Sequence, residues 1–558
     1  MHRIFEFDDI IRAVLQHVES SATDLVNVAM TCSRLAGPAL DILWSRQSSL
    51  ARLIMCLPQD TWEGKVEGCC RDYIVRLSRE PTPIEWEHLR ANASRVRRLV
   101  SIDGFTDAPK LPRGPVLRRR TDGIGSALDL FRPILRPDVI GHVLKRLFEQ
   151  FPPATLFPNL CELHFEAVFG LLERSSKFWL LRQFISPGLQ ALRFDITGIP
   201  THEVEQLFAA LPTEAHGLRQ LSVSAGNGTA ALTVPPSLGK LPKLIRLAIF
   251  AIDVSLTRQM ITNIQQARCL QTLKLNLCGT SCDASGIPLE LPSLKTLYLS
   301  EGSLSQCTHF LRQVTTRQLS RINISYRGSA SPAEVTAFVE SLSTSCQTFE
   351  HLERIYVVDK SDHPDYLLVI PLHSEIFRPL FKFKRLSSVK FIGIGNFELD
   401  DRFLKDVPIA WPSIQELKFI SWKRRAFYSV TFTAMMSLAF RCRSLQTLHL
   451  TVDATQSTTI PRAPDGTEAL WPTQTALRNL HLGYSRVSKV ARVPYFLAEV
   501  FPTLWSFKFY ERYLRNCAAD IDLRLALEKA HSQLGALRNS PYENSDKLWE
   551  NDSDDSGT

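Results

Sequence analysis

Hydrophobic positions recur along the chain in one six-residue pattern, whose first, fourth and sixth positions are apolar. The fourth and sixth positions lie two residues apart, which is strand periodicity, so both side chains point into a core. The third and fifth positions point to the other face, so each copy predicts a β-strand. The thirteen copies are LCELHF (160–165), LQALRF (189–194), LRQLSV (218–223), LIRLAI (244–249), LQTLKL (270–275), LKTLYL (294–299), LSRINI (319–324), LERIYV (352–357), LSSVKF (386–391), IQELKF (414–419), LQTLHL (445–450), LRNLHL (477–482) and LWSFKF (504–509).

Helical segments are predicted between these strands. Residues 201–211, 257–267 and 332–342 carry apolar residues three and four apart, as amphipathic helices do. Ser331 is a candidate N-cap for the last segment, and Glu334 completes a capping box. One strand and one helix every 24–34 residues resembles the leucine-rich-repeat family. The resemblance implies an α/β solenoid, a horseshoe whose parallel strands line the concave face.

Composition limits the class of protein. The 558 residues are 44% apolar and 22% charged, which is ordinary for globular protein and excludes wholesale disorder. No run of about 18 apolar residues occurs, so no membrane-spanning segment is expected. Glu6, Asp8 and Asp9 interrupt the apolar stretch that a secretory signal would need. Twelve scattered cysteines without a CxxC pair favour free thiols in the cytosol or nucleus.

No catalytic motif accompanies the repeats. The GxSxG, HExxH, Walker A and GxGxxG patterns are absent. Cys278 and Cys282 lack a second ligand pair nearby, so no zinc site is expected. The fourteen histidines show no ligand spacing. We therefore expect no enzymatic activity, no cofactor and no metal.

Residues 7–47 do not follow the repeat. They predict three short amphipathic helices, at 8–18, 23–32 and 38–46, the last with Pro38 in its first turn. About 40 residues are too few to bury the apolar faces of such helices on their own. The surplus apolar surface therefore requires a partner, either the repeat array or another protein.

The sequences DDIIRAVLQHV, DLVNVAMTCSRL and PALDILW in this segment resemble the F-box family, and the second half is similar to F-box proteins of mushroom-type fungi. The usual opening Leu-Pro is absent, and Leu35 stands where the family usually has Trp. The resemblance implies docking on a Skp-type linker protein of a cullin ubiquitin ligase, with the repeats holding a protein substrate. The positions that it assigns to the linker contact, or to packing of the helices on one another, are Ile10, Ile11, Val14, Leu15, Leu25, Val28, Cys32, Leu43 and Trp44.

The strand positions that point away from the core are rich in basic residues. The third and fifth positions of the thirteen copies carry eight Lys or Arg and two Glu, within a whole-chain net charge of +8. We expect a basic concave surface that binds an acidic or phosphorylated segment of a partner protein. The alternative is that exposed strand positions accept any long polar residue. The candidate substrate-binding residues are Arg193, Arg246, Lys274, Tyr298, Arg321, Arg354, Tyr356, Lys390 and Lys418.

Two further stretches contribute to a predicted layout of five segments. The Pro-, Gly- and Arg-rich stretch 104–125 is either a solvated loop or an anion-binding or nuclear-targeting site. The sequence VRRLVS (96–101) is a candidate degenerate repeat. The segments are an F-box-like helical domain (1–50), a linker with degenerate first repeats (51–156), the array of about thirteen repeats (157–512), a capping helix (513–539) and a disordered acidic tail (540–558).

Two functions fit this layout. The first is a substrate-recognition subunit of a Skp/cullin/F-box-type ubiquitin ligase. The second is a leucine-rich-repeat scaffold for protein binding, in which the N-terminal helices merely cap the array and no ligase is involved. Nucleic-acid binding ranks below both, because the charge is modest and aromatic residues are not regularly interleaved with basic ones. We expect a monomer with no membrane association, and copurification with a Skp-type linker separates the two functions.

Overall fold

A computed structural model divides the chain into two compact units, Met1–Ala251 and Ile252–Thr558. The residues that the structure describes are 8–19, 21–48, 50–67, 72–100, 133–135, 148–149, 151–165, 174–225, 236–251, 258–277, 288–345, 351–361, 371–421, 430–454, 473–487, 493–508, 528–529 and 531–535. The basic stretch 104–125, the tail 540–558 and most of the predicted capping helix lie outside these residues.

The first unit opens with three helices, α1 (Asp8–Gln16), α2 (Ala22–Thr31) and α3 (Ser33–Ser45). The Ser21 side chain accepts a hydrogen bond from the Asp24 backbone N–H and so caps α2. The start predicted for the third helix is wrong. α3 begins at Ser33, and Pro38 lies inside it.

The first unit continues into a parallel sheet. Among its described residues, further helices are Ala51–Ile54, Pro83–Ala93, Pro153–Leu156, Arg174–Gln183 and Thr201–Glu214, with a 3-10 turn at Pro236–Lys240. A small side sheet pairs Trp62–Glu67 antiparallel to Asp72–Leu77, which in turn runs parallel to Pro133–Leu135. The six parallel strands of the main sheet are Arg46–Gln47, Arg98–Leu99, Glu162–His164, Ala191–Asp195, Gln220–Ala225 and Arg246–Ala251.

The second unit repeats the strand-and-helix alternation. Its helices are Arg258–Gln265, Leu304–Gln313, Pro332–Ser345, Asp401–Ala410, Phe432–Arg441 and Val493–Val500, with a 3-10 segment at Ser374–Lys382. Short parallel pairs join Leu289–Glu290 to Val314–Thr315, Pro371–His373 to Asn396–Glu398, and Asp453–Ala454 to Arg486–Val487. The nine parallel strands of its main sheet are Thr272–Asn276, Thr296–Ser300, Arg321–Tyr326, Arg354–Asp359, Ser388–Ile392, Glu416–Ile420, Thr447–His449, Asn479–His481 and Ser506–Lys508.

The apolar positions of the repeat build the core of both units. Of the 39 apolar positions, 38 lie among the described residues, and every one of them is buried. The parallel strands are in register from copy to copy, so equivalent apolar side chains stack on one another. The chain is therefore an α/β solenoid of the leucine-rich-repeat type, as the sequence predicts.

Two features near the N-terminus bear on the predicted layout. The main sheet includes Arg46–Gln47, which continues directly from α3 and lies inside the segment 1–50. The degenerate copy at 96–101 forms a strand, as the sequence predicts, and Arg98 pairs directly with Glu162 of the next copy. No strand of the main sheet therefore lies between these two copies.

The capping box predicted for the helix Pro332–Ser345 is confirmed. The Glu334 backbone N–H donates to the Ser331 hydroxyl at 3.2 Å, and the Ser331 N–H donates to the Glu334 carboxylate at 2.8 Å. These bonds satisfy donors that a helix start leaves without intrahelical partners.

Candidate functional site

The N-terminal helices form a small bundle with its own core. Ile11, Leu15, Leu25 and Ala39 are buried at its centre. Partly buried apolar side chains pack around them, namely Val18, Val28, Ala29, Leu35, Ile42 and Leu43. The three buried candidates Ile11, Leu15 and Leu25 thus hold the helices together rather than face outward.

The bundle is fastened to the sheet of the first unit. The Arg12 guanidinium donates to the Asp41 carboxylate at 2.9 Å, which joins α1 to α3. Arg95 donates to the same carboxylate and to the Gly37 carbonyl oxygen, the latter at 3.1 Å. α3 also continues directly into the strand Arg46–Gln47. The bundle is therefore attached to the sheet both by these side-chain contacts and by the chain itself.

Two helices of the bundle expose apolar side chains. On α1, Ile10 and Val14 are 42% and 60% exposed and lie four residues apart. On α2, Val26 and Met30 are 45% and 83% exposed at the same spacing. Residues four apart lie on one helix face, so each helix presents an apolar pair to solvent.

The outward apolar pairs only partly coincide with the candidates from the sequence. Ile10 and Val14 are exposed as a partner contact requires, whereas Val26 and Met30 were not candidates. Their signal in the sequence is an apolar pair, four residues apart, that lies off the α2 face of Leu25. A bundle that buried all its apolar residues would not carry such a pair. The remaining candidates are only partly buried, namely Val28, Cys32, Leu43 and Trp44.

The second candidate surface is the face of the second unit's sheet that points away from the core. The fifth positions of nine copies lie side by side in one continuous row, called here the outward row. The strand register joins each member to the next. The members, in spatial order, are Lys274, Tyr298, Asn323, Tyr356, Lys390, Lys418, His449, His481 and Lys508.

The first five strands of this row, from Thr272–Asn276 to Ser388–Ile392, form what we call the open half. Here the row residues are all half-buried, and Arg321 and Arg354, two positions earlier on their strands, are exposed. The Lys274 amine lies 4.4 Å from the centre of the Tyr298 ring, a cation–π contact. Lys390 forms an ion pair with Glu416 at 3.1 Å. This half brings together six of the nine predicted substrate-binding residues.

The last four strands, from Glu416–Ile420 to Ser506–Lys508, form the closed half. Lys418, His449 and His481 are only 3%, 2% and 6% exposed. The two imidazole rings stack with their centres 3.9 Å apart. The expectation of solvent exposure is therefore wrong at Lys418. Neighbouring parallel strands lie about 4.8 Å apart, so side chains in one row shield one another laterally.

Burial sets the protonation of the stacked histidines. It lowers the pKa of His481 to about 3, and nearby Lys508 and Lys418 lower that pKa further. Burial likewise lowers the pKa of His449 well below its ordinary value, with smaller effects from His481 and Lys418. The Gly483 backbone N–H donates to the His481 Nδ1 at 2.9 Å. An accepting Nδ1 requires a neutral ring with its proton on Nε2.

The sheet of the first unit has a more mixed face. Arg193 and Arg246 are half-buried there. Glu162 forms an ion pair with Arg98 at 3.0 Å. Burial lowers the pKa of His164 to about 4, and the charge of Arg193 adds to the effect. Both acidic and basic groups thus occur on the outward face of this sheet.

Metal centres and membrane-spanning helices are two other kinds of site that a chain of this length can carry. Within the described part of the chain, no group of three His, Cys, Asp or Glu side chains is arranged to hold a metal ion. Among the same residues, none of the helices has the length and apolar character needed to cross a bilayer.

The chain has only weak likenesses to known proteins. No family model and no curated protein matches the sequence. Among solved structures, an internalin from Listeria monocytogenes is 13% identical with a TM-score of 0.29, over 64% of this chain and 82% of that one. The Rad7–Elc1 complex of yeast contains a chain 14% identical with a TM-score of 0.25, over 56% of this chain and 86% of that one. The assignment to the leucine-rich-repeat solenoids rests on the strand register and buried repeat positions of this chain.

Proposed function

We propose that the protein is the substrate-recognition subunit of a Skp/cullin/F-box-type ubiquitin ligase. The observation that carries this proposal is the pair of outward apolar faces on α1 and α2, above a core that the bundle fills on its own. Large exposed apolar side chains grouped on a small domain are typical of a protein interface. The F-box resemblance of the same residues names a Skp-type linker as the partner.

In this role the chain needs no catalytic group of its own. The bundle docks on the linker, and the repeats hold a substrate protein. Holding a substrate lysine beside a charged ubiquitin-conjugating enzyme raises the effective concentration of the reacting groups. The attachment of the bundle through Asp41 and α3 suits this task, because it joins the docking helices to the repeats of their own unit.

The test is copurification of the full-length chain with a purified Skp-type linker. Val14→Asp combined with Met30→Asp places charges on both exposed apolar faces, and we expect at least about a tenfold loss of linker affinity. Ile84→Asp is the matched control, because Ile84 is also exposed, at 73%, on another helix of the same unit. Point variants are preferable to a deletion of residues 1–50, which would remove the strand Arg46–Gln47.

Equal linker binding by the double variant and the control would contradict the proposal, as would a complete failure of the unaltered chain to bind. Either result would favour the repeat-only scaffold, in which the helices serve the array alone. Near-identical melting temperatures for the three proteins would show that the bundle remains folded.

A further inference from the structure

The open half of the second unit's sheet carries no acidic residue at its outward positions. The third, fifth and seventh positions of its five strands hold two Lys, two Arg and two Tyr among otherwise uncharged side chains. Nearby acids already have partners. Glu416 contacts Lys390 and the Ser388 hydroxyl, and Glu301 contacts Arg327. The face as a whole is therefore electropositive.

Two arginines on this face lie side by side. Arg321 and Arg354 are register partners on adjacent parallel strands, and both are exposed. Neither forms an ion pair with a residue that the structure describes. Like charges on neighbouring strands repel one another, so this arrangement costs free energy in the isolated protein. An anionic group lying between the two guanidinium groups would turn the repulsion into attraction.

The positive charges are spread along the face rather than gathered at a point. Lys274, Arg321, Arg354 and Lys390 occupy the first, third, fourth and fifth strands, which span about 19 Å. A single phosphate group cannot contact charges so far apart. An extended peptide advances about 3.3 Å per residue, so about six residues cover the span.

The tyrosines add an apolar element to the same path. Tyr298 and Tyr356 lie in the outward row with only Asn323 between them, about 10 Å apart. Their rings offer flat surfaces for side chains about three residues apart on an extended ligand. Nucleic acid fits less well, because tight binding typically uses six to ten phosphate contacts. The open half offers four cations, one of which already contacts Glu416.

We propose that the open half binds an extended segment of a partner protein, about six residues long and rich in Asp and Glu with apolar side chains between them. The inference names the kind of substrate segment for the function proposed above and rests on it for that meaning. Arg321 and Arg354 are the principal contacts, Lys274 and Lys390 bind the ends, and Tyr298 and Tyr356 pack against the apolar side chains. The buried Lys418 takes no part.

The test uses fluorescence anisotropy with the full-length protein and a fluorescein-labelled eight-residue peptide, Glu-Glu-Leu-Glu-Glu-Leu-Glu-Glu, whose Leu residues are three apart. Arg321→Glu combined with Arg354→Glu should weaken binding at least about tenfold. The matched control is Arg268→Glu combined with Arg385→Glu, which changes the net charge equally at two exposed arginines away from the face. The control should change the affinity less than about threefold. Binding by the unaltered protein should weaken as salt is raised.

Three results would overturn the proposal. The first is equal weakening by the control pair, which would indicate non-specific charge attraction. The second is equal binding of a peptide with Ser in place of Glu. The third is a tenfold preference for a phosphoserine peptide of the same pattern or for a single-stranded oligonucleotide. Arg321→Gln combined with Arg354→Gln repeats the measurement without introducing new charges, in case the Glu pair disturbs folding.

The peptide experiment is independent of the linker experiment. The Arg321 and Arg354 variants should retain linker binding, and the Val14 and Met30 variants should retain peptide binding. If the unaltered chain fails to bind the linker but binds the peptide, the ligase role is rejected and the peptide site stands. If it binds the linker but not the peptide, only the peptide site is rejected.

Discussion

The open and closed halves of the second unit's sheet occupy the same position in the repeat but differ in character. In the open half, tyrosine, asparagine and lysine are half-buried beside exposed arginines. In the closed half, Lys418, His449 and His481 are buried, and the two imidazoles stack. Both halves of the outward row lie on parallel strands that share one register. The two halves therefore differ in how far their outward side chains are buried, although the strand pattern is the same in both.

This contrast separates two uses of one structural position. A charged side chain that keeps contact with water can bind a ligand at little cost to stability. A titratable side chain that loses contact with water is held neutral or must be compensated, so a change in its charge changes the stability of the fold. Substitutions at matched positions in the two halves can test this distinction.

The largest expected effect comes from adding the same charge to both halves. His449→Lys places a cation beside buried Lys418, and we expect it to lower the free energy of unfolding by about 3–5 kcal/mol, the range for an uncompensated buried charge. Asn323→Lys makes the corresponding change in the open half and should cost less than about 1 kcal/mol. Urea denaturation measures both. Equal losses would mean that the halves do not differ in burial.

A smaller effect is expected from two glycines that both have positive φ. Gly483, at φ 53°, follows the strand Asn479–His481 of the closed half, and a Cβ there would lie 2.5 Å from the Thr451 hydroxyl oxygen. Gly328, at φ 102°, follows the strand Arg321–Tyr326 of the open half, and a Cβ there would meet no atom within 4 Å. We expect Gly328→Ala to cost about 1–2 kcal/mol from backbone strain alone, and Gly483→Ala to cost more because of the added steric overlap.

Thermal denaturation of the two variants gives the comparison. Combining Gly483→Ala with Thr451→Ala removes the hydroxyl that the new methyl group would strike. Partial recovery of stability in this double variant is expected, and its absence would show that backbone strain accounts for the whole loss.

The smallest effect concerns pH. His481 has a folded-state pKa of about 3, below the unfolded value of about 6.5, so between these values the unfolded chain binds more protons. The contribution of His481 to stability should therefore be constant above about pH 7 and decrease as the pH falls below 6.5, by at most about 1.4 kcal/mol per pH unit for each such histidine.

His481→Asn should make this decrease shallower, because an amide oxygen can accept the Gly483 hydrogen bond without titrating. His164 and His449 would retain part of the slope, since burial lowers the pKa of each. Denaturation curves at pH 7.5, 6.5 and 5.5 provide the measurement. An unchanged slope would mean that His481 is not held neutral in the fold.

The sequence by itself determined the repeat, its strands and the core. Apolar residues at fixed spacing leave one arrangement that buries them all, and each such position that the structure describes is buried. The capping box at Ser331 and Glu334 could also be predicted from the sequence, because it depends only on residues within one helical turn. The existence of three N-terminal helices also followed from local periodicity, although α3 begins five residues before Pro38.

Only the tertiary structure decided which outward positions are accessible and which helix faces are unoccupied. Alternation along a strand places Lys390 and Lys418 on the same face, yet one is half-buried and the other is 3% exposed. Likewise, Val14 and Leu15 adjoin in sequence, but one faces solvent and the other fills the bundle. Exposure depends on contacts between residues far apart in the chain, and a local pattern of hydrophobicity carries no information about those contacts.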